Sequence, residues 1–286
     1  MRHSLHVFRA ALVLTAWILQ SSAAAAQDSA QPGVRTVNGM QMYYETLGAG
    51  APLVLLHGFF GCGHSWQPLV ASLAAHYRLI IPDLRGHGQS TNPSRQFTHR
   101  QAARDVLALL DQLGVRKFRA MGISTGGMTL LHMATQQRDR VDAMVLIGAT
   151  TYFPEPARVV MRRIRTLDSL PPPVSEVLRE CAKRGDPQIR ELVSLFHGFK
   201  DSYNDMSFTE PALQTITART LIVHGDRDLF FPVAIPVQAY GAIPRSYLWI
   251  VPNGSHVPIF EPQGRQFEEV ALAFLRGDWE SNAAPR

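Results

Sequence analysis

From Val34 to Tyr44 apolar and polar positions are interleaved around Asn38-Gly39, with a period of two at Met40-Gln41-Met42. That period sends successive side chains to opposite faces of a strand. Asn-Gly suits the positive φ angles of a two-residue turn, so the segment predicts a β-hairpin. Short, mostly apolar runs follow at Leu53–His57, Arg78–Ile81, Lys117–Met121, Val141–Ile147, Thr220–Gly225 and Tyr247–Val251. Runs of this kind mark strands covered on both faces. Between them, apolar residues recur at helical spacing over Trp66–Ala75, over Thr98–Leu113 with Gly114 as its stop, and over Met128–Gln137. Strands alternating with helices predict an α/β fold, a mostly parallel sheet flanked by helices.

Residues 152–215 break this rhythm. Ala157–Leu167 and Val174–Lys183 have helical spacing, and Pro171-Pro172-Pro173 separates them. The segment lies between two core strands, at the sheet edge where the strands' carboxyl ends open and ligands bind. It predicts a helical cap. The chain then divides into a leader over 1–26, a core in two parts over 27–151 and 216–286, and the cap over 152–215.

The leader has Arg2 and Arg9, an apolar run Ala10–Leu19 too short to span a bilayer, and the small residues Ala24-Ala25-Ala26. It predicts a secretory signal cleaved near Ala26, and hence a periplasmic or secreted protein with no membrane span in the mature chain. At 286 residues and 46% hydrophobic, the chain is long enough to bury one large core. Its formal charge is only +5, and the basic residues are scattered. One cluster, Arg158, Arg162, Arg163 and Arg165, follows helical spacing and predicts a solvated face. No basic stripe with interleaved aromatics speaks for nucleic acid. Cys62 and Cys181 are the only cysteines. An oxidising compartment permits a bridge between them, but their spacing does not show that they meet, and it offers no metal site.

Four segments carry chemistry. Gly122-Ile123-Ser124-Thr125-Gly126 places a serine between a strand and a helix, with glycines on both sides. A chain turning that sharply holds its corner residue in a strained conformation, lifts the hydroxyl above the sheet and leaves helix-start N–H groups beneath it. Acyl transfer needs two N–H donors for the developing oxyanion. Thr125, next to the serine, supplies one candidate. Phe59, after the strand-ending His57-Gly58, supplies the other. Asp226-Arg227-Asp228 follows another strand and offers two carboxylates. Asn253-Gly254-Ser255-His256 follows the last strand and offers an imidazole. The order along the chain is serine, acid, histidine.

With these residues the chain resembles the α/β-hydrolase superfamily, in its cap-bearing esterase, haloperoxidase-like and epoxide-hydrolase-like branch. The resemblance extends over about residues 34–276. It includes Asp83-Leu84-Arg85-Gly86-His87-Gly88-Gln89-Ser90, similar to that branch's D-x-R-G-H-G-x-S loop, and is weak across 152–215. It implies the α/β-hydrolase fold and a triad of Ser124, Asp228 and His256. The family's Gly-x-x-Asp spacing, counted from Gly225, selects Asp228 over Asp226. Thr125 departs from many relatives, which carry methionine there; that side chain bears on substrate and not on the triad.

The expected function is hydrolysis of small, largely apolar carboxylic esters or lactones through an acyl-enzyme, with no cofactor and no metal. Phe60, Trp66, Met128, Tyr152, Phe153, Phe230, Phe231 and Val257 flank the motifs or begin the cap, and are the candidate pocket residues. A serine at the elbow argues against chemistry through an alkyl-enzyme ester. Gly86-His87-Gly88-Gln89-Ser90-Thr91 lacks the third glycine of a dinucleotide loop. Four alternatives share the same residues: a ligand receptor with slow or no turnover, a perhydrolase, an amidase and a carbon–carbon hydrolase.

Overall fold

A computed structural model describes residues 30–260 and 262–279. The expected leader, with cleavage near Ala26, lies outside them. The strands are β1 (Gln31–Val37), β2 (Met40–Leu47), β3 (Pro52–Leu56), β4 (Arg78–Pro82), β5 (Phe118–Ile123), β6 (Val141–Ile147), β7 (Arg219–Gly225) and β8 (Ser246–Val251). They form one eight-stranded sheet in the order β1-β2-β4-β3-β5-β6-β7-β8. β2 pairs antiparallel with β1 and β4, and all other pairs are parallel. The expected hairpin closes at Val37 opposite Met40, with Asn38 and Gly39 at φ 43° and 76°.

The apolar runs are continuous because alternate residues of each strand serve different faces. Leu53, Leu55, Val145 and Val223 pack on one face with α1 (Gln67–Ala74) and α9 (Gly264–Arg276), where Phe267 and Phe274 are fully buried. Val54, Leu56, Ala120 and Met144 pack on the other with α2 (His99–Gln112) and α3 (Thr125–Gln136). Thr98 caps α2 by accepting the Gln101 N–H at 3.0 Å. Gly114 ends the helix at φ 68°, with its N–H on the Asp111 carbonyl. Leu110 on its inner face has no exposure; truncation to alanine would cost about 2–5 kcal/mol. No helix among the described residues is long and apolar enough to cross a membrane.

Buried polar contacts fix the loops that carry the site. Arg85 grips the Asp105 carboxylate of α2 with two bonds of 2.7 and 2.9 Å, and Asn38 from the hairpin turn donates to the same carboxylate at 2.9 Å. Removing one partner of such a pair strands the other charge, at a cost of about 3–5 kcal/mol.

Between β6 and β7 the chain forms α4 (Glu155–Arg163), α5 (Pro172–Cys181), α6 (Asp186–Gly198) and the short α7 (Glu210–Leu213), and α8 (Ala234–Ala242) joins β7 to β8. α4 stops short of the expected Leu167, because Ile164 turns to extended backbone at ψ 103°. The proline run does more than separate two helices. Pro172 and Pro173 begin α5, where the missing N–H groups have no helical partner anyway. The arginine cluster is also not one solvated face. Arg158 is buried and donates to the carbonyls of Phe153 and Ser202, with its guanidinium 3.9 Å from the Tyr203 ring centroid; the other three arginines are exposed. Gln188 of α6 donates to the Gly86 and Gly88 carbonyls at 2.8 and 2.9 Å, tying the insertion to the loop after β4. A disulfide between Cys62 and Cys181, Cα atoms 5.5 Å apart, ties the end of α5 to the loop after β3.

Candidate active site

The serine sits where the strand–turn–helix pattern places it. β5 ends at Ile123, α3 begins at Thr125, and Ser124 between them has φ 50° and ψ −111°. Holding a serine there costs roughly 1–3 kcal/mol, which the neighbouring packing must offset. The glycines make the corner possible. A Cβ on Gly122 would stand 2.5 Å from the Gly126 carbonyl carbon, and one on Gly126 would stand 2.2 Å from the Leu56 carbonyl oxygen.

Three loops at the carboxyl edge of the sheet bring the remaining groups to this corner. The Ser124 hydroxyl lies 3.0 Å from His256 Nε2 and donates to it. The opposite ring nitrogen, Nδ1, donates to Asp228 Oδ2 at 2.7 Å. The backbone N–H groups of Phe230 and Phe231 donate to Asp228 Oδ1 at 2.7 and 3.1 Å. Burial pushes the Asp228 carboxyl up, but the hydrogen bond and charge of His256, with those two N–H groups, outweigh it and hold the group below its ordinary value. Asp226 takes no part in this chain of contacts. Its Oδ1 is buried without a hydrogen-bond partner, and its nearest ion-pair contact is Arg227 at 3.8 Å.

Thr125 follows the serine directly and Phe59 lines the same cavity; neither backbone N–H donates in the described backbone hydrogen bonds outside helices and strands. His57 shapes the first of these loops. Its Nε2 accepts the Leu84 N–H at 2.9 Å, and Nδ1 donates to the Gly58 carbonyl at 2.8 Å. Complete burial drives its pKa down, so the ring is neutral and can play both parts. Asp83 braces the same loop from the other side, accepting the N–H groups of Gly63 and Gln89, each at 2.8 Å. The D-x-R-G-H-G-x-S segment thus acts as a support beneath the first donor loop. Its motif gave the family likeness, but not this role.

A cavity of about 860 Å³ opens beside Ser124 and His256. Phe59, Phe60, Met128, Phe153, Phe230, Phe231 and Val257 line it. Trp66 and Tyr152 do not. Trp66 closes the turn before α1 on the opposite face of the sheet, wholly buried among Leu69 and Leu73. Tyr152 pairs its backbone with Ser207 and points outward at 41% exposure, while the next residue, Phe153, points in. Extended backbone alternates in this way. The insertion supplies lining that sequence reading missed, including Met161, Ile164, Leu170 and Phe196. For Phe196 a signal existed: Ile189, Leu192, Val193 and Phe196 form an apolar stripe at helical spacing.

A family model described as alpha/beta hydrolase fold matches residues 51–169. The soluble epoxide hydrolase of Corynebacterium sp. is 36% identical over 135 residues, 45% of this chain and 47% of that protein, so the chain matches less than half of it. A putative non-heme chloroperoxidase of Synechocystis sp. is 29% identical over 83% of this chain and 95% of its own length. Among solved structures, a meta-cleavage product hydrolase from Pseudomonas fluorescens IP01 superposes with a TM-score of 0.72 at 22% identity, over 86% of this chain and 98% of that one.

Proposed function

The chain belongs to the α/β-hydrolase superfamily, and on that premise we propose that it is an exported serine hydrolase acting on small, largely apolar carboxylic esters or lactones. The observation that carries this reading is the unbroken hydrogen-bond chain Ser124–His256–Asp228 at the wall of an apolar cavity. The activities named for the similar proteins differ from one another, so the reaction is argued from the residues.

Ser124 Oγ attacks the substrate carbonyl carbon while His256 Nε2 takes its proton. Asp228 keeps the other ring nitrogen protonated and stabilises the imidazolium that forms. The N–H groups of Phe59 and Thr125 receive the oxyanion, each worth roughly 3 kcal/mol by comparison with measured donors of this kind. The imidazolium then protonates the leaving alcohol. Water attacks the acyl-enzyme with the same ring as base, and the acid and free serine are released.

The cavity selects for apolar groups, because the rings of Phe59, Phe60, Phe153, Phe230 and Phe231 offer no partner to a charge. Its volume falls toward the upper part of the range for small-molecule sites. Residues 152–215 act as a cap over it in this reading, and a long triglyceride chain would have to displace them. Export rests on the leader pattern of residues 1–26. The Cys62–Cys181 bridge supports it, since structural disulfides persist in oxidising compartments.

The test is a panel of p-nitrophenyl esters from acetate to palmitate, with lactones and amides alongside, on wild type and Ser124→Ala. Turnover of short to medium esters, abolished in the alanine variant, supports the reading. A maximum at palmitate with a jump in rate at an oil–water interface would point to a lipase. Ligand binding with no turnover of any ester, lactone or amide would point to a receptor.

A further inference from the structure

Of the polar side chains that line the cavity, His99 stands among its aromatic rings and has no part in the chemistry above. His99 opens α2 and lines the cavity, while Asp205, from the segment after α6, does not. Asp205 fixes the ring completely. Its Oδ2 accepts both the His99 backbone N–H and Nδ1–H, each at 2.7 Å, and its Oδ1 accepts the Arg100 N–H at 3.1 Å. Burial raises the Asp205 carboxyl, but the hydrogen bond and charge of His99 and the two backbone donors prevail and bring it down to about 2. Asp205 is therefore a carboxylate at neutral pH, and Nδ1 of His99 must carry a proton.

The ring edge turned away from Asp205 holds Nε2. This atom is buried, in a side chain with 0% exposure, and has no hydrogen-bond partner. Around the ring stand Phe97, Phe153 and Phe199, with centroids 5.5, 5.8 and 5.3 Å away. None of them offers a polar atom. A buried imidazole nitrogen without a partner costs roughly 1–3 kcal/mol. A phenyl ring at this position would avoid that cost only by leaving the buried Asp205 carboxylate without its Nδ1–H donor, so the histidine serves Asp205 with one nitrogen and leaves the other over. The arrangement makes sense if something entering the cavity supplies the missing partner.

We propose that His99 is a specificity-determining residue whose Nε2 hydrogen-bonds a hydroxyl carried by the non-reacting part of the substrate. This rests on the hydrolase reading of the cavity. The choice of hydroxyl follows from the ring. In the neutral imidazole Nε2 is an acceptor and takes the hydroxyl proton; in the imidazolium it is a donor and binds the hydroxyl oxygen. A hydroxyl fits either state, whereas an ether or a carbonyl fits only the second. The phenyl rings nearby exclude a charged group, which would be stripped of water with no counter-ion. The substrate class narrows to largely apolar esters or lactones that carry one hydroxyl remote from the scissile bond.

The experiment compares methyl hexanoate, octanoate and decanoate with their ω-hydroxy counterparts, using p-nitrophenyl acetate as a probe too short to span the cavity. In the wild type the hydroxylated ester is expected to have the higher kcat/KM at one or more lengths, by about tenfold. His99→Asn keeps an amide donor for Asp205 and removes Nε2. It should abolish that preference and leave the rate on p-nitrophenyl acetate within about twofold. His99→Gln, whose amide reaches toward the position of Nε2, should restore part of the preference. A wild type that favours the unsubstituted ester at every length would overturn the proposal, and that arm needs no variant to fold. A preference that survives in His99→Asn would also overturn it. If p-nitrophenyl acetate is not hydrolysed at all, the hydrolase reading has failed instead; calorimetric Kd values for the same pairs of esters then test His99 alone, with the same ratio expected.

Discussion

Reducing the Cys62–Cys181 bridge should destabilise the protein by a large share of its total stability. The bridge joins residues 119 apart in sequence. The chain-entropy relation for a loop of that length gives about 5 kcal/mol at 25 °C. A domain of this kind has roughly 5–15 kcal/mol in all, so the loss is a third or more. Both cysteines are buried, at 4% and 3% exposure, so each thiol can stay in place and the loss comes mainly from the freed chain. The bridge crosses from the loop after Phe59 to the last residue of α5, so the insertion should loosen first. The assay is urea unfolding of wild type with and without a dithiol, beside the double variant Cys62→Ala/Cys181→Ala, with limited proteolysis to locate the loosened segment. A fall of about 3–5 kcal/mol, with early cleavage between residues 164 and 186, is expected. An unchanged midpoint after complete reduction would refute the reasoning.

The two acids after β7 should separate cleanly. Asp228→Asn should lower kcat by about 10⁴-fold, because it removes the acceptor that sets the His256 tautomer; Asp226→Asn should change it by less than about tenfold, and equal losses in steady-state assays would count against the assignment. Acid stability should depend on His132. Burial, the largest influence, lowers its pKa to about 4 against the pull of Asp205. Below pH 6.5 the unfolded chain takes up a proton that the folded ring refuses until about pH 4. Stability from this group is therefore full above pH 6.5 and lost as pH falls toward 4, by roughly 3 kcal/mol. Urea midpoints of wild type and His132→Gln at pH 7 and pH 4.5 should show a smaller difference in the variant.

Much of the fold could be read from the sequence, since its signals are local. Asn38-Gly39 marks a turn in two residues, and the runs at 53–57 and 141–147 can be buried on both faces only in a covered sheet. The elbow is local too: Gly122, Ser124 and Gly126 encode a strained corner within five positions. Ser124, His256 and Asp228 could be aligned because each follows its own strand, and parallel strands open their carboxyl ends at one edge. What depended on long-range contact was not legible. Nothing in the spacing of Cys62 and Cys181 reports the 5.5 Å between their Cα atoms. Asp205 and His99 lie 106 positions apart, and only the folding of the insertion onto α2 joins them. Trp66 and Phe60 both follow the His57-Gly58 loop, but the turn before α1 swings Trp66 to the other face of the sheet.

The central claim is that Ser124, activated by His256, forms a covalent acyl-enzyme. Its most direct test is to treat the folded protein with a fluorophosphonate and locate the adduct by peptide mass spectrometry, in wild type, Ser124→Ala and His256→Ala. One adduct per chain on the peptide containing Ser124 is the expected result, slowed by orders of magnitude in His256→Ala and absent in Ser124→Ala. Stoichiometric labelling of Ser124→Ala, or an adduct on any other residue of the wild type, would contradict it.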